Sequence, residues 1–237
     1  MGIRPTEVAT IKTRALTAAA SLALVAAACG YSGPSAATLL QRAKATFDHT
    51  SAFHIQLTSQ NTTGSGLELT AAQGDAVRPD GFSGVLSIEE SGFPLQVHVI
   101  ASGGQFYVQL PFSADYSKAN PAQYGFGNPG QLLDPNRGIS TFLTEAEKPT
   151  LGSQTRLNGE ELQQVNANLP GSLVKALLVD AEPSQPVATV FSIDTSDNQV
   201  REVDLTGPIF QAGQQSTFHL VLDKYGENVT VTPPSAP

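Results

Sequence analysis

Among its 237 residues the chain has one cysteine, Cys29, no tryptophan, and no methionine beyond the initiator. One thiol closes no internal disulfide and builds no Cys-x-x-Cys redox or zinc motif. The four histidines, His49, His54, His98 and His219, are scattered and lack the clustering of a zinc site. Charged residues supply only 14% of the chain, against about 25% in an average domain. Acidic side chains outnumber basic ones by 21 to 13, so the surface repels phosphate backbones and nucleic acid is not an expected partner. No basic cluster is present to hold anionic headgroups. There is no Gly-x-Ser-x-Gly; Gly81-Phe82-Ser83-Gly84 lacks the spacing of a nucleophile elbow. Walker, Rossmann and His-Glu-x-x-His motifs are missing too. These absences point away from an enzyme: no catalytic residue, metal ligand or cofactor is expected.

What is present begins at the N-terminus. Arg4, Lys12 and Arg14 precede the uncharged stretch Ala15–Ala28, the basic-then-apolar layout of a signal peptide. Its 14 residues fall short of the about 20 a transmembrane helix needs. It ends in Val25-Ala26-Ala27-Ala28-Cys29, where small residues before a cysteine suit lipoprotein signal peptidase. Ala26 stands where an aliphatic residue is usual, with Val25 one step earlier. An ordinary signal peptide cut at Ala-x-Ala and an uncleaved anchor are the competing readings. The lone thiol decides for acylation, which gives an otherwise partnerless cysteine a role. The expected organisation is a signal peptide over 1–28, an acylated cysteine and short tether over 29–35, and a single domain over 36–237. The protein would sit on the extracytoplasmic face of the cell membrane, in the periplasm or cell envelope, anchored through lipid on Cys29. Two or three acyl chains suffice for that. Losing the signal peptide leaves 10 basic against 20 acidic residues.

Past Pro34 the apolar period is helical. Ser35 is a candidate cap, and Leu39, Leu40, Ala43 and Phe47 share one face of a helix running to about His49. The period then drops to two: Phe53, Ile55 and Leu57 alternate with His54, Gln56 and Thr58, as in a strand with one buried face. Further strands are expected at Leu67–Ala72, Phe82–Glu89, Leu95–Ala101 and Gln105–Leu110, the last two joined by a turn at Ser102-Gly103-Gly104. Pro111 to Gly130 is an irregular stretch carrying Phe112, Tyr116, Tyr124 and Phe126. Helical spacing returns at Ile139, Phe142, Leu143 and Ala146, and again in Gly171–Leu178. Strands are expected near Leu162–Asn168 and at Val187–Ile193, Val200–Leu205, Thr217–Asp223 and Val229–Thr232. Short turns between successive strands imply antiparallel pairing. The fold class is α+β: one large antiparallel sheet of eight to eleven strands with helices on one side, curled because a sheet this wide does not stay flat. His54, His98 and His219 fall between apolar neighbours in strands, where the polar face accounts for them. Val85, Leu86, Ile88, Leu95, Val97, Val99, Phe106, Val108 and Leu110 form an apolar block. Periodicity does not separate a filled core from a pocket there.

Several segments in order resemble one family. Ser51-Ala52-Phe53-His54-Ile55 follows the first helix. Gly104-Gln105-Phe106-Tyr107 comes next, then Leu132-Leu133-Asp134-Pro135-Asn136-Arg137-Gly138-Ile139 and Leu157-Asn158-Gly159. Pro186-Val187-Ala188-Thr189-Val190-Phe191-Ser192-Ile193 and Tyr225-Gly226-Glu227-Asn228-Val229-Thr230-Val231-Thr232-Pro233-Pro234 complete the set. In this order, behind a lipobox, the chain resembles the LppX, LprA, LprF and LprG family of mycobacterial and actinobacterial lipoproteins. Tyr225 stands where that family usually has Trp, and Gly207–Gln215 looks longer than its counterpart.

The resemblance implies a half-open, barrel-like sheet with helices on one side, enclosing an apolar cavity. It further implies an acylated lipid or glycolipid as ligand, moved toward the outer envelope, with a membrane exporter as a further partner. The cavity candidates on that reading are Phe82, Leu86, Ile88, Leu95, Val97, Val99, Phe106, Val108, Phe142 and Leu143. The stretch 111–130 would form the rim, with Arg137 and Lys118 as single cations for a headgroup. The alternative is a lipoprotein that binds protein, as an envelope assembly factor or exporter partner without its own lipid cargo. A hydrolase ranks third.

Overall fold

Helical spacing followed by strict alternation gives a helix feeding a strand at the start of the domain in the computed structural model, which describes residues 1–2, 33–62 and 67–234. The expected signal peptide beyond its first two residues, Cys29 and most of the tether lie outside the described residues. Met1–Gly33 form a unit separate from Pro34–Pro237, and the helices and strands of the described residues all belong to the second. Helix α1 (Ala36–His49) starts at Ser35, whose Oγ accepts the N–H of Thr38 at 3.2 Å, and it buries Ala36, Leu39, Leu40, Ala43 and Phe47. Two residues past its C-cap the chain is strand.

Two antiparallel runs of strands follow. The first is β1 (Ala52–Gln60), β2 (Leu67–Val77), β3 (Gly81–Glu90), β4 (Phe93–Ser102), β5 (Gln105–Gln109) and β6 (Ser117–Lys118). The second is β7 (Glu147–Leu157), β8 (Glu160–Leu169), β9 (Val187–Asp194), β10 (Val200–Gly207) and β11 (Ser216–Asp223). Short α2 (Ser140–Glu145) and α3 (Gly171–Leu177) interrupt them. Pairing of β1 with β11 fuses the runs into one eleven-stranded sheet, ordered β6-β5-β4-β3-β2-β1-β11-β10-β9-β8-β7. Its edges β6 and β7 are not paired with each other, so the sheet stays open.

Register carries one inner-face row across the sheet. Val97, Leu86, Ala72, Leu57, Leu220, Val203, Phe191 and Val165 stand opposite one another from β4 to β8. Ala72 is the smallest member of that row. In the next row toward the β2–β3 turn, Gly74 faces Gly84. A Cβ on Gly84 would stand 2.3 Å from the Gln73 carbonyl, and one on Gly74 would stand 2.7 Å from Cζ of Phe82. The Phe82 ring lies over this glycine pair, covering backbone that has no side chains of its own.

Two segments differ from expectation. Strand β7 has no alternating apolar pattern and carries Pro149 and Gly152; as an edge strand with two irregularities in register it has only one neighbour to satisfy. Val229–Thr232 alternates but joins no strand, and Val231 instead packs against Gly81. Alternation reports which side chains are half-buried and leaves open whether a ladder partner is present. Among the described residues no helix is long and apolar enough to cross a membrane.

Candidate functional site

Between the inner face of the sheet and the helical layer lies an apolar slot of about 110 Å³. The sheet contributes Ile55 and Leu57 from β1, Leu69 and Ala72 from β2, Phe82 and Leu86 from β3, Leu205 from β10, and Phe218 and Leu220 from β11. The opposite wall is Phe126, Gly127 and Pro129 from the irregular stretch, Leu132 just past it, Ile139 and Phe142 at α2, and Val174, Leu177 and Leu178 at α3. None of these groups titrates or offers a nucleophile. At its upper end, where β1 passes to β2, the slot adjoins a vestibule of about 280 Å³ that shares Leu69, Leu178 and Phe218 with it. Thr62, Glu68, Tyr124 and Asp180 bring polar atoms to that vestibule.

Of the ten cavity candidates named from the sequence, Phe82, Leu86 and Phe142 stand on the slot wall. Ile88, Val97, Val99, Phe106, Val108 and Leu143 are buried in the core beside it, and Leu95 is partly buried against that core. The block β3–β5 is the most apolar local stretch, whereas the slot is centred on β2, β1 and β11. Those strands meet only because the two ends of the chain pair. Half-burial of Leu57, Leu69, Ala72, Leu132 and Leu177 marks the wall, and no sequence pattern reports half-burial at an internal surface.

The stretch 111–130 divides in two. Tyr124 and Phe126 pack on Phe106 with ring centroids 6.3 and 5.7 Å away, closing the wall. Residues 110–116 form a separate loop pointing outward. Of the two candidate headgroup cations, Arg137 donates to Asp134 at 2.8 Å, and the backbone N–H of Asn136 and Arg137 itself hold the Asp134 carboxyl below its ordinary range. Lys118 is exposed on the edge strand β6. Neither lines the slot or the vestibule.

The charged groups the sequence left unassigned gather on the outer face and at the lower end of the sheet. His54 on β1 pairs through Nδ1 with Asp75 on β2 at 2.5 Å, and His219 on β11 pairs with Asp204 on β10 at 2.6 Å. His49 caps its own helix by bonding the Ala45 carbonyl, and His98 is exposed. Glu227 joins the first pair: donor atoms of His54, Asp75 and Glu227 lie within 4.8 Å of one another, the one such grouping among the described residues with a metal-ligating donor set. Burial, then the charge and hydrogen bond of Asp75, push the Glu227 carboxyl above its ordinary value.

A second network secures α1 against the sheet. Arg201 engages Glu160, Asp194 and Asp197, and its guanidinium sits 5.8 Å from the Tyr225 ring centroid. Burial disfavours the charge on Asp194, but bonds from Ser196 and Arg201 outweigh it and hold the carboxyl below its usual range. Tyr225 stacks on Phe53 and meets Phe47 edge-on, and its hydroxyl donates to the Val200 carbonyl. The phenol is pushed well above its ordinary value by burial. This network is structural and lies away from the slot.

A model of the LppX_LprAFG lipoprotein family matches residues 35–231. The crystal structure of LprF from Mycobacterium bovis superposes with a TM-score of 0.69 at 16% identity, over 85% of this chain and 97% of its own. LppX from Mycobacterium tuberculosis gives 0.62 at 18% identity, over 83% of this chain and 98% of its own. At such identities the likeness is one of fold. A search of curated proteins returns no match.

Proposed function

Since the chain belongs to the LppX_LprAFG lipoprotein family, we propose that it is a lipid carrier of the cell envelope, taking acyl chains of a lipid or glycolipid between its sheet and its helices. The observation that carries this reading is the slot itself, walled entirely by apolar side chains, glycine and proline. A chain-like cargo needs little else: burial contributes about 25 cal/mol per Å² without directional contacts. At about 110 Å³ the slot is smaller than the roughly 300–1,000 Å³ of typical ligand pockets, so the cover must part to load. That cover is built from α2, α3 and loops that meet the sheet mainly through apolar contacts. It opens at lower cost than the hydrogen-bonded sheet. The headgroup stays in the vestibule among Thr62, Glu68 and Asp180. An acyl anchor on Cys29 keeps the protein at the outer face of the cell membrane, and a membrane exporter completes the route toward the outer envelope.

The test is native mass spectrometry of Gly30–Pro237 purified from a mycobacterial host, followed by solvent extraction and lipid analysis. Multi-acylated lipid near one per protein is expected, with a marked fall in the variant Ala72→Phe, whose ring fills the slot. Lipid-free wild-type protein would reject the carrier reading in favour of a protein-binding lipoprotein.

A further inference from the structure

In the domain, the large apolar side chains that stand strongly exposed among the described residues are Phe93 at 72%, Leu110 at 49% and Phe112 at 109%. They share one end of the sheet. Phe93 faces Glu90 at the tip of the β3–β4 hairpin, and Gln109 faces His98, so the chain from Leu110 runs on past β5 beside the first half of β4. At ~3.4 Å per residue and ~4.8 Å between strands, the two tips lie within about 15 Å of each other. The vestibule opens at the same end, because Leu67 faces Glu90 across β2 and β3.

Neither tip is slack. Ser91 and Gly92 take φ of 52° and 84° in the turn that presents Phe93. Phe112 itself sits at φ 67°, a left-handed conformation costly for a bulky residue. Its loop is pinned by the Ser113 N–H to the Leu110 carbonyl, by the Asp115 N–H to the Ser113 hydroxyl, and by the Gln109 amide to two carbonyls. A loop that spends hydrogen bonds to hold a phenyl ring in water at a strained φ is not explained by the stability of the fold.

We propose that this end docks on a lipid bilayer, with Phe93 and Phe112 entering the interface beneath the headgroups and the vestibule mouth resting on the membrane. The proposal rests on the carrier reading, which requires the mouth to meet a membrane. Two projecting tips offer far less than the roughly 800 Å² per partner of a standard protein interface, so a second copy is not the occupant. Glu89, Glu90 and Asp115 stand beside the tips and no basic cluster does. Attachment is therefore apolar, and it favours a zwitterionic surface over an anionic one.

The test is co-flotation of Gly30–Pro237, which holds the whole compact unit, with vesicles of phosphatidylcholine alone and of phosphatidylcholine mixed with phosphatidylglycerol. Native mass spectrometry of the same preparations reads bound lipid. Wild-type protein should float with the pure phosphatidylcholine vesicles, undiminished by added salt. Binding should fall about tenfold for each phenyl removed in Phe93→Ser and Phe112→Ser, with bound lipid retained in the double variant. Wild-type protein that stays off the vesicles overturns docking. So does a double variant that floats like wild type, or binding that needs phosphatidylglycerol and is abolished by salt. Lipid-free wild-type protein speaks against the carrier reading alone, whatever the vesicles show.

Discussion

Glu227 places a carboxyl beside Asp75 and His54 at the lower end of the sheet, and its Oε1 is buried with no hydrogen-bond partner. Burial and Asp75 raise its proton affinity in the folded chain. A group with a folded pKa above its unfolded value contributes stability that is fully present below the unfolded value, about 4.3 for Glu, and lost as pH rises through the folded one. At neutral pH the ionised side chain is therefore a liability. Glu227→Gln keeps a donor for Asp75 without the charge. Thermal unfolding should show the variant melting above wild type near neutral pH, with the gap closing below about pH 4; a variant that melts lower throughout would contradict this account. None of it is visible in Tyr225-Gly226-Glu227-Asn228 as a string. Asp75 is 152 residues away in the chain, and only the pairing of β1 with β2 and β11 brings it near.

At the scale of elements, α1 is secured to the sheet by few groups. Arg78, in the β2–β3 turn, donates to the carbonyls of Phe47 and Thr50 at the end of α1 and to that of Leu133 in the cover. One guanidinium thus meets carbonyls at the negative end of the helix, that of Phe47 shared with the C-cap N–H of Thr50, and ties helix, sheet and cover together. Arg78→Ala should destabilise the domain by about 1.5–3 kcal/mol, the range for hydrogen bonds to a charged group, read from urea unfolding. An unchanged midpoint would mean water replaces the guanidinium. The elements themselves were largely legible. The helix over Leu39–Phe47 and the strands at Phe53–Leu57, Phe82–Ile88 and Phe218–Leu222 each bury one face, and burial of one face writes its period into the sequence. Strand β7 was not legible, because none of its residues is buried and neither face selects an apolar alternation. The β5–β6 loop was read as part of one aromatic rim, whereas Phe126 closes a wall and Phe112 projects from a tip. Composition alone does not distinguish an aromatic ring that packs from one that is displayed.

At the scale of the whole molecule, the carrier reading requires an anchor outside the described residues. Cys29→Ser should shift the protein from the membrane fraction to the supernatant of fractionated envelope, with the domain still folded; protein that remains sedimented would place the anchor elsewhere. That expectation came from the first thirty residues alone, since basic charge, apolar run and lone cysteine are local and need no fold to be read. Sheet class and antiparallel pairing were likewise set by local alternation and short turns. What only the tertiary structure decided is where the slot lies. Pairing of β1 with β11 joins strands that begin 164 residues apart, and it moves the centre of the inner face away from the apolar block β3–β5. A small residue, Ala72, leaves space there under a cover of short helices, while Phe82 fills the room over the Gly74–Gly84 pair. Space between elements is a property of their relative placement. Periodicity records which side of each element is dry, and it carries no record of the distance between two dry sides.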